Sequence, residues 1–193
     1  STAAFTYNII DANVATVTGS STTIVGAGST LVTVSQAENS NYNAATATMT
    51  LTVNEADPTI TFNDENKTFT DPDFNLTATS SSSGVFTYNI LDNNIATVSG
   101  NTVTIIGAGT TSVTVTQSAD SNYNAATATM TLTVNKADPG IGNFNNINKT
   151  YGDSDFEIIV PSKNNLNNSN FIYSSSDSNI ASISGNTCLL YTS

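Results

Sequence analysis

The sequence predicts an all-β chain built from tandem Greek-key β-sandwiches. Three observations carry that expectation: apolar and hydroxyl side chains alternate with a period of two, turn residues recur between short runs, and an 81-residue unit repeats. No stretch sustains the 3.6 period of a helix.

The repeat sets the domain organisation. Residues 1–58 align without a gap onto 82–139, with 40 identities in 58 positions. FTYNIIDANVATVTG (5–19) returns as FTYNILDNNIATVSG (86–100), and NYNAATATMTLTVN starts intact at both Asn41 and Asn122. A third copy is more diverged: NKTFTDPDF from Asn66 returns as NKTYGDSDF from Asn148, and FIYSSSDSNIASISGNT from Phe171 follows the second copy with three residues gained. The gain falls in PSKNNLNNSN (161–170), where a surface loop tolerates length. With boundaries at the Ala-Asp-Pro tripeptides 56–58 and 137–139, residues 1–55 form a partial repeat lacking its N-terminal strands and 56–136 a complete one. Residues 137–187 form a partial repeat lacking its C-terminal strands, so the chain reads as a window cut from a longer array. Residues 188–193, CLLYTS, break the pattern and read as a non-native tail, because a transposon end used in preparing sequencing libraries encodes the same six residues.

Within the complete unit, Ala126, Ala128, Met130, Leu132 and Val134 alternate with Thr127, Thr129, Thr131 and Thr133, giving one core face and one hydroxyl face. Val113 and Val115 alternate with Thr114 and Thr116, and Val103 and Ile105 with Thr102 and Thr104; β-branched residues favour extended backbone. Further strands are expected at 59–62, 75–79, 85–90 and 95–98. Ser99, Gly100 and Asn101 mark one turn and Gly107, Ala108 and Gly109 another. About seven short strands without a helix suit a Greek-key sandwich; a β-solenoid would repeat at a shorter period of about 20–30 residues.

Composition excludes whole classes of function. The chain has 33 Thr, 27 Asn and 24 Ser but only four Lys, no Arg and 15 Asp or Glu, for a net charge of -11. Such a charge repels nucleic acid and anionic membranes, so no nucleic-acid partner is expected. There is no His and one Cys, Cys188, which removes His-assisted nucleophiles, the usual zinc sites and disulfide frameworks. No window reaches the 18 apolar residues of a membrane helix, so no membrane insertion is expected in this segment.

IATVSGNTVTIIGAGTTSVTVTQ followed by NYNAATATMTLTVNKADP resembles the bacterial immunoglobulin-like (Big) repeats, group 2 in particular, and NKTYGDSDF is similar to the opening of the related MBG repeats. The resemblance covers nearly the whole chain before the tail. It implies tandem immunoglobulin-like sandwiches of a large secreted or cell-surface bacterial protein, often an adhesin, in which the repeats serve as stalk or spacer. It implies no catalytic residues, and the partners it implies are the neighbouring immunoglobulin-like repeats of the same chain. Tyr123 and its equivalent Tyr42 lie just before the last strand, in a position that resembles the tyrosine corner, with the ring over the core end and the hydroxyl bonded to backbone.

Candidate sites are few. Asp71 and Asp73 form a D-x-D pair repeated as Asp153 and Asp155, and Asp57, its equivalent Asp138, Asp64 and Glu65 lie near repeat junctions. These carboxylates are the candidate calcium ligands, and a calcium ion at a junction would stiffen the array. The competing reading is a solvated acidic loop, because two carboxylates supply too few of the six to eight oxygens calcium takes. Lys67 and Lys149 follow Asn66 and Asn148, an arrangement open to a Lys–Asn isopeptide bond or to an ordinary Lys whose stem covers apolar surface. Tyr7, Tyr88 and Tyr173 recur on one strand and offer either core packing or a glycan-stacking face. The expectation is therefore a non-catalytic spacer, with no cofactor. The alternative is a carbohydrate- or protein-binding immunoglobulin-like module, including a phage surface decoration.

Overall fold

A computed structural model describes residues 4–163 and 168–190. Every regular element in it is a strand. The chain divides into two compact units, Ser1–Lys136 and Ala137–Ser193, so the first unit holds repeats 1 and 2 together.

Repeat 1 contains β1 (Phe5–Ile9), β2 (Ala15–Thr18), β3 (Ser21–Ile24), β4 (Gly28–Gln36) and β5 (Ala45–Val53). Repeat 2 adds β6 (Ile60–Thr61), β7 (Glu65–Thr68), β8 (Phe74–Asn75), β9 (Thr79–Ser80), β10 (Phe86–Ile90), β11 (Ala96–Ser99), β12 (Thr102–Ile105), β13 (Gly109–Gln117) and β14 (Ala126–Asn135). In repeat 2 one sheet has the order β10-β13-β14-β7, the other β11-β12-β8, and β6 pairs with β9. The alternation read from the sequence decides what faces inward: Ile90, Val113, Met130, Leu132 and Val134 of the first sheet meet Ala96 and Val103 of the second, with Ile95 and Leu76 beside them. Phe62, Phe69, Phe74 and Tyr88 close the rim of this core. Each fully buried aliphatic side chain contributes about 1.5–3 kcal/mol, and Leu132, Val103, Val113 and Val115 are among those with essentially no exposure.

Two boundaries differ from the expectation. β7 was not foreseen, because its sequence ENKT has no apolar alternation; it joins the sheet through backbone pairing, running parallel to β14 with Val134 opposite Lys67, and through the side-chain hydrogen bond from Asn135 to Asn66. The strand expected at 75–79 is instead two short ones, β8 and β9, with the core residue Leu76 between them.

Repeat 1 keeps the same hairpins, with β1, β4 and β5 in one sheet and β2 paired with β3. Among the described residues no strand pairs with the outer edge of β5. The consequence is measurable at sequence-identical positions: Met130 is 3% exposed and Met49 56%.

The second unit contains β15 (Phe156–Glu157), β16 (Ala181–Ser184) and β17 (Thr187–Leu190), in the order β15-β17-β16. This reproduces β8, β12 and β11 of repeat 2. Cys188 to Leu190, set apart from the repeat on sequence grounds, take the places of Val103 to Ile105: Cys188 lies opposite Phe156 and Ile183 and is buried. Residues 191–193 of the expected tail lie outside the described residues.

Candidate functional site: the inter-repeat junction

The feature of the first unit that links repeats 1 and 2 is the junction around residues 54–57. Gly26, Ala27 and Gly28 form a tight loop between β3 and β4, pinned from below because Val25 and Gly26 donate to the Val14 carbonyl at 2.9 and 3.2 Å. Gly28 has φ 142°, which a side chain rarely adopts. From repeat 2, the loop between β13 and β14 presents Asn122, whose side-chain oxygen accepts from the Ala27 N–H at 2.8 Å. Gly26 is needed for the approach: a Cβ there would meet the Asn13 carbonyl at 2.8 Å and Asn122 Oδ1 at 2.9 Å.

The linker is held by the same loop. Ala56 donates to the Asn122 carbonyl and accepts from Asn124 N–H, both at 2.9 Å, as a parallel bridge with Tyr123. Asn124 also donates its side-chain N–H to Asp57 at 2.8 Å. Four hydrogen bonds therefore converge on Asn122 and Asn124, one from the preceding repeat and three from the linker.

That loop is itself preformed. Asp120 accepts from Asn122 N–H and Tyr123 N–H at 2.8 and 2.9 Å, and from Ser82 Oγ, Ser83 N–H and Ser83 Oγ at 2.8–2.9 Å. The Asn122 backbone donor, followed by the Ser83 and Ser82 donors, holds this carboxyl far below the usual carboxylate range. Behind it, the fully buried Gln117 accepts from Ser80 Oγ at 2.6 Å and donates to the Ser82 and Gly84 carbonyls at 3.1 and 2.8 Å.

The residues singled out on sequence grounds are placed otherwise than a shared site would need. Asp57 serves the linker, Asp64 accepts from Thr131 N–H at 2.7 Å, Asp71 from Thr68 N–H at 2.8 Å, and Asp73 from Thr104 Oγ1 at 3.0 Å. Asp138, Asp153 and Asp155 likewise accept from backbone N–H groups, of Gly140, Thr150 and Leu190. Among the described residues no three acidic or thiol side chains gather as a metal site. Lys67 pairs with Glu65 at 3.3 Å and lies over the Phe74 ring at 4.5 Å, while Asn66 Oδ1 accepts from Asn135 Nδ2 at 2.6 Å, so Lys67 and Asn66 face different partners. Lys149 repeats the contact over Phe156 at 4.9 Å.

The tyrosine-corner expectation is corrected. The Tyr123 hydroxyl makes no hydrogen bond among the described residues; the residue acts through its backbone, because its loop is already folded around Asp120 and bridged to Ala56. Tyr42, the equivalent residue in repeat 1, is 65% exposed. Tyr88 packs at 5.8 Å from Phe62 and Tyr173 at 6.1 Å from Phe144. The open cleft beside the junction, about 480 Å³ and bordered by Ala27, Ser29, Thr52, Glu55, Ser121 and Asn124, has no aromatic residue in its wall.

Sequence reasoning missed Asn122, Gln117 and Asp120. The available signal was the intact recurrence of SNYNAA and GAG in both copies, which strand packing alone does not require.

No family model matches the sequence, and no curated protein matches it. Among solved structures the chain is similar to Drosophila N-cadherin EC1-3, at TM-score 0.32 and 13% identity over 70% of this chain and 56% of that one. It is also similar to the protocadherin gamma B7 extracellular cadherin domains 1-4, at TM-score 0.36 and 12% identity over 96% of this chain and 57% of that one. The chain thus spans little more than half the length of either.

Proposed function

We propose that this chain is a non-catalytic spacer, part of the repetitive stalk of a large secreted or cell-surface bacterial protein of the adhesin type. The observation that carries the proposal is the Ala27–Asn122 hydrogen bond together with the Ala56–Tyr123 bridge. A linker free to bend would leave consecutive domains as separate bodies, whereas these contacts fix the loop of one repeat and the linker to the same loop of the next. A rigid junction converts added repeats into added reach, which is the physical requirement of a stalk.

The resemblance of the VSGN, GAG and LTV elements to Big and MBG repeats supports the same reading, as does the acidic, hydroxyl-rich surface, which keeps closely spaced β-domains from pairing edge to edge. The dispersed carboxylates and the packed Tyr88 lend no support to an enzymatic or glycan-stacking role. The test is a distance distribution between spin labels on β2 and β11 of the full chain, with Cys188 replaced by Ser. A single narrow distribution is expected; a broad one overturns the spacer reading.

A further inference from the structure

In repeat 2 the entering and leaving segments of the chain run side by side in the same direction. Ala56 of the linker makes its parallel bridge with Tyr123, and Glu65–Thr68 of β7 pairs in parallel with Leu132–Asn135 of β14. Between these contacts the chain crosses over, where Ile60 and Thr61 pair with Ser80 and Thr79, and then returns to the register it left. Asp57 meets Asn124 and Asp64 meets Thr131, each partner 67 positions on, and the bridge at Ala56 and the pairing at Glu65 keep the same spacing. Linker and β7 are therefore two parts of one interrupted strand, laid along β14 and the loop before it.

The seam is bonded along its whole length. Asp57 accepts from Asn124 Nδ2 at 2.8 Å and Asp64 from Thr131 N–H at 2.7 Å. Asn66 accepts from Asn135 Nδ2 at 2.6 Å, and at the far end the Phe69 N–H donates to the Asn135 carbonyl at 2.8 Å. Direction decides how these bonds are loaded. The chain comes in at the start of one parallel segment and goes out at the end of the other, so a pull on both ends slides the segments past each other lengthwise. All the seam bonds then carry the load together. In an antiparallel pair with both exits at one end, the same pull would part the bonds one after another.

We propose that the seam of residues 56–68 against 123–135 is a shear clamp that keeps the repeat folded while the chain is under tension. The remaining strands of the sandwich, β8 to β13, lie in sequence between the two clamped segments, so the pull does not reach them until the seam gives. The clamp follows from repeat 2 alone; that the protein meets tension rests on the spacer reading.

Stretching of the full chain at constant force, with Cys188→Ser, tests it. Repeat 2 is recognised by its step, since release of the chain between Glu65 and Asn135 adds about 24 nm. With handles at the chain ends, repeat 2 is expected to last several-fold longer at a given force than with handles at Thr70→Cys and Lys136→Cys, which peel β7 from one end of the seam. Asn66→Ala is expected to shorten the end-loaded lifetime roughly two- to tenfold, the rate equivalent of one neutral hydrogen bond, because forced unfolding follows the unfolding rate. Ile90→Val trims the core away from the seam and lowers the melting point of repeat 2, yet is expected to leave that lifetime unchanged. Equal lifetimes in the two geometries, no effect of Asn66→Ala, or an equal effect of Ile90→Val overturns the clamp. A bending junction, which would overturn the spacer reading, shows in the spin-label distances and leaves these lifetimes as they are.

Discussion

Asn122 accepts a 2.8 Å hydrogen bond from the backbone of Ala27, a residue 95 positions earlier and in a different repeat. The acceptor is a side chain and the donor a loop N–H with no place in a ladder, so the contact depends on residue type at Asn122, which accepts, and at Gly26, which leaves room for it.

Substitution Asn122→Ala is therefore expected to broaden the spin-label distance distribution between repeats 1 and 2, with little effect on the melting of repeat 2. The loss corresponds to one neutral hydrogen bond, about 0.5–1.5 kcal/mol. Asn122→Asp keeps the acceptor and is expected to retain the narrow distribution. A broadened Asp variant would mean the latch depends on more than this oxygen.

Met49 of β5 and Met130 of β14 share their sequence neighbours but not their burial. Met130→Ala is expected to cost about 2–5 kcal/mol through lost burial and the cavity left. Met49→Ala is expected to stay within about 0.5 kcal/mol, as exposed substitutions do. Paired thermal or denaturant melts read the difference, and equal losses would contradict the open face of repeat 1.

Asp120 ties repeat 2 to acidity. Its folded-state pKa lies far below the ordinary value of 3.8, so its contribution is present in full above that value and is lost as pH falls below it toward the folded-state value. The melting temperature of repeat 2 is expected to drop on acidification below about pH 4. Asp120→Asn is expected to lower the melting point at neutral pH and to flatten that acid dependence. Repeat 1 already has Asn39 at this place, with Asn41 and Tyr42 N–H donating to it at 2.9 and 3.0 Å, so the loop itself is compatible with the amide.

Gln117 is the one buried amide among the large, fully buried side chains. Gln117→Leu leaves the Ser82 and Gly84 carbonyls without their donor and is expected to cost about 1–3 kcal/mol. Chemical denaturation of the full chain checks this, and an unchanged midpoint for repeat 2 would show that the network is dispensable.

The sequence disclosed the fold through its longest strands. Met130, Leu132 and Val134 lie inside because alternate residues of a strand share a face, and Thr127 to Thr133 show where the other face is. β7 stayed hidden because a strand that joins an edge through backbone pairing and a polar side-chain bond needs no apolar pattern. The junction stayed hidden for a related reason: Asn122 and Ala27 are unremarkable residue types, and only the three-dimensional approach of two loops gives them a shared role. The acidic residues drew notice by their charge, yet the structure spends each aspartate on its own separate hydrogen bond. Tyr123 drew notice by its ring, whereas its backbone is what the linker meets.

The central claim, that repeats 1 and 2 move as one body, is tested most directly by residual dipolar couplings of backbone amides in weakly aligned full-length chain. One alignment tensor fitting residues of both repeats, with Asn122→Ala splitting it in two, is the result predicted. Two tensors of different magnitude in the unsubstituted chain would contradict the rigid junction and, with it, the spacer.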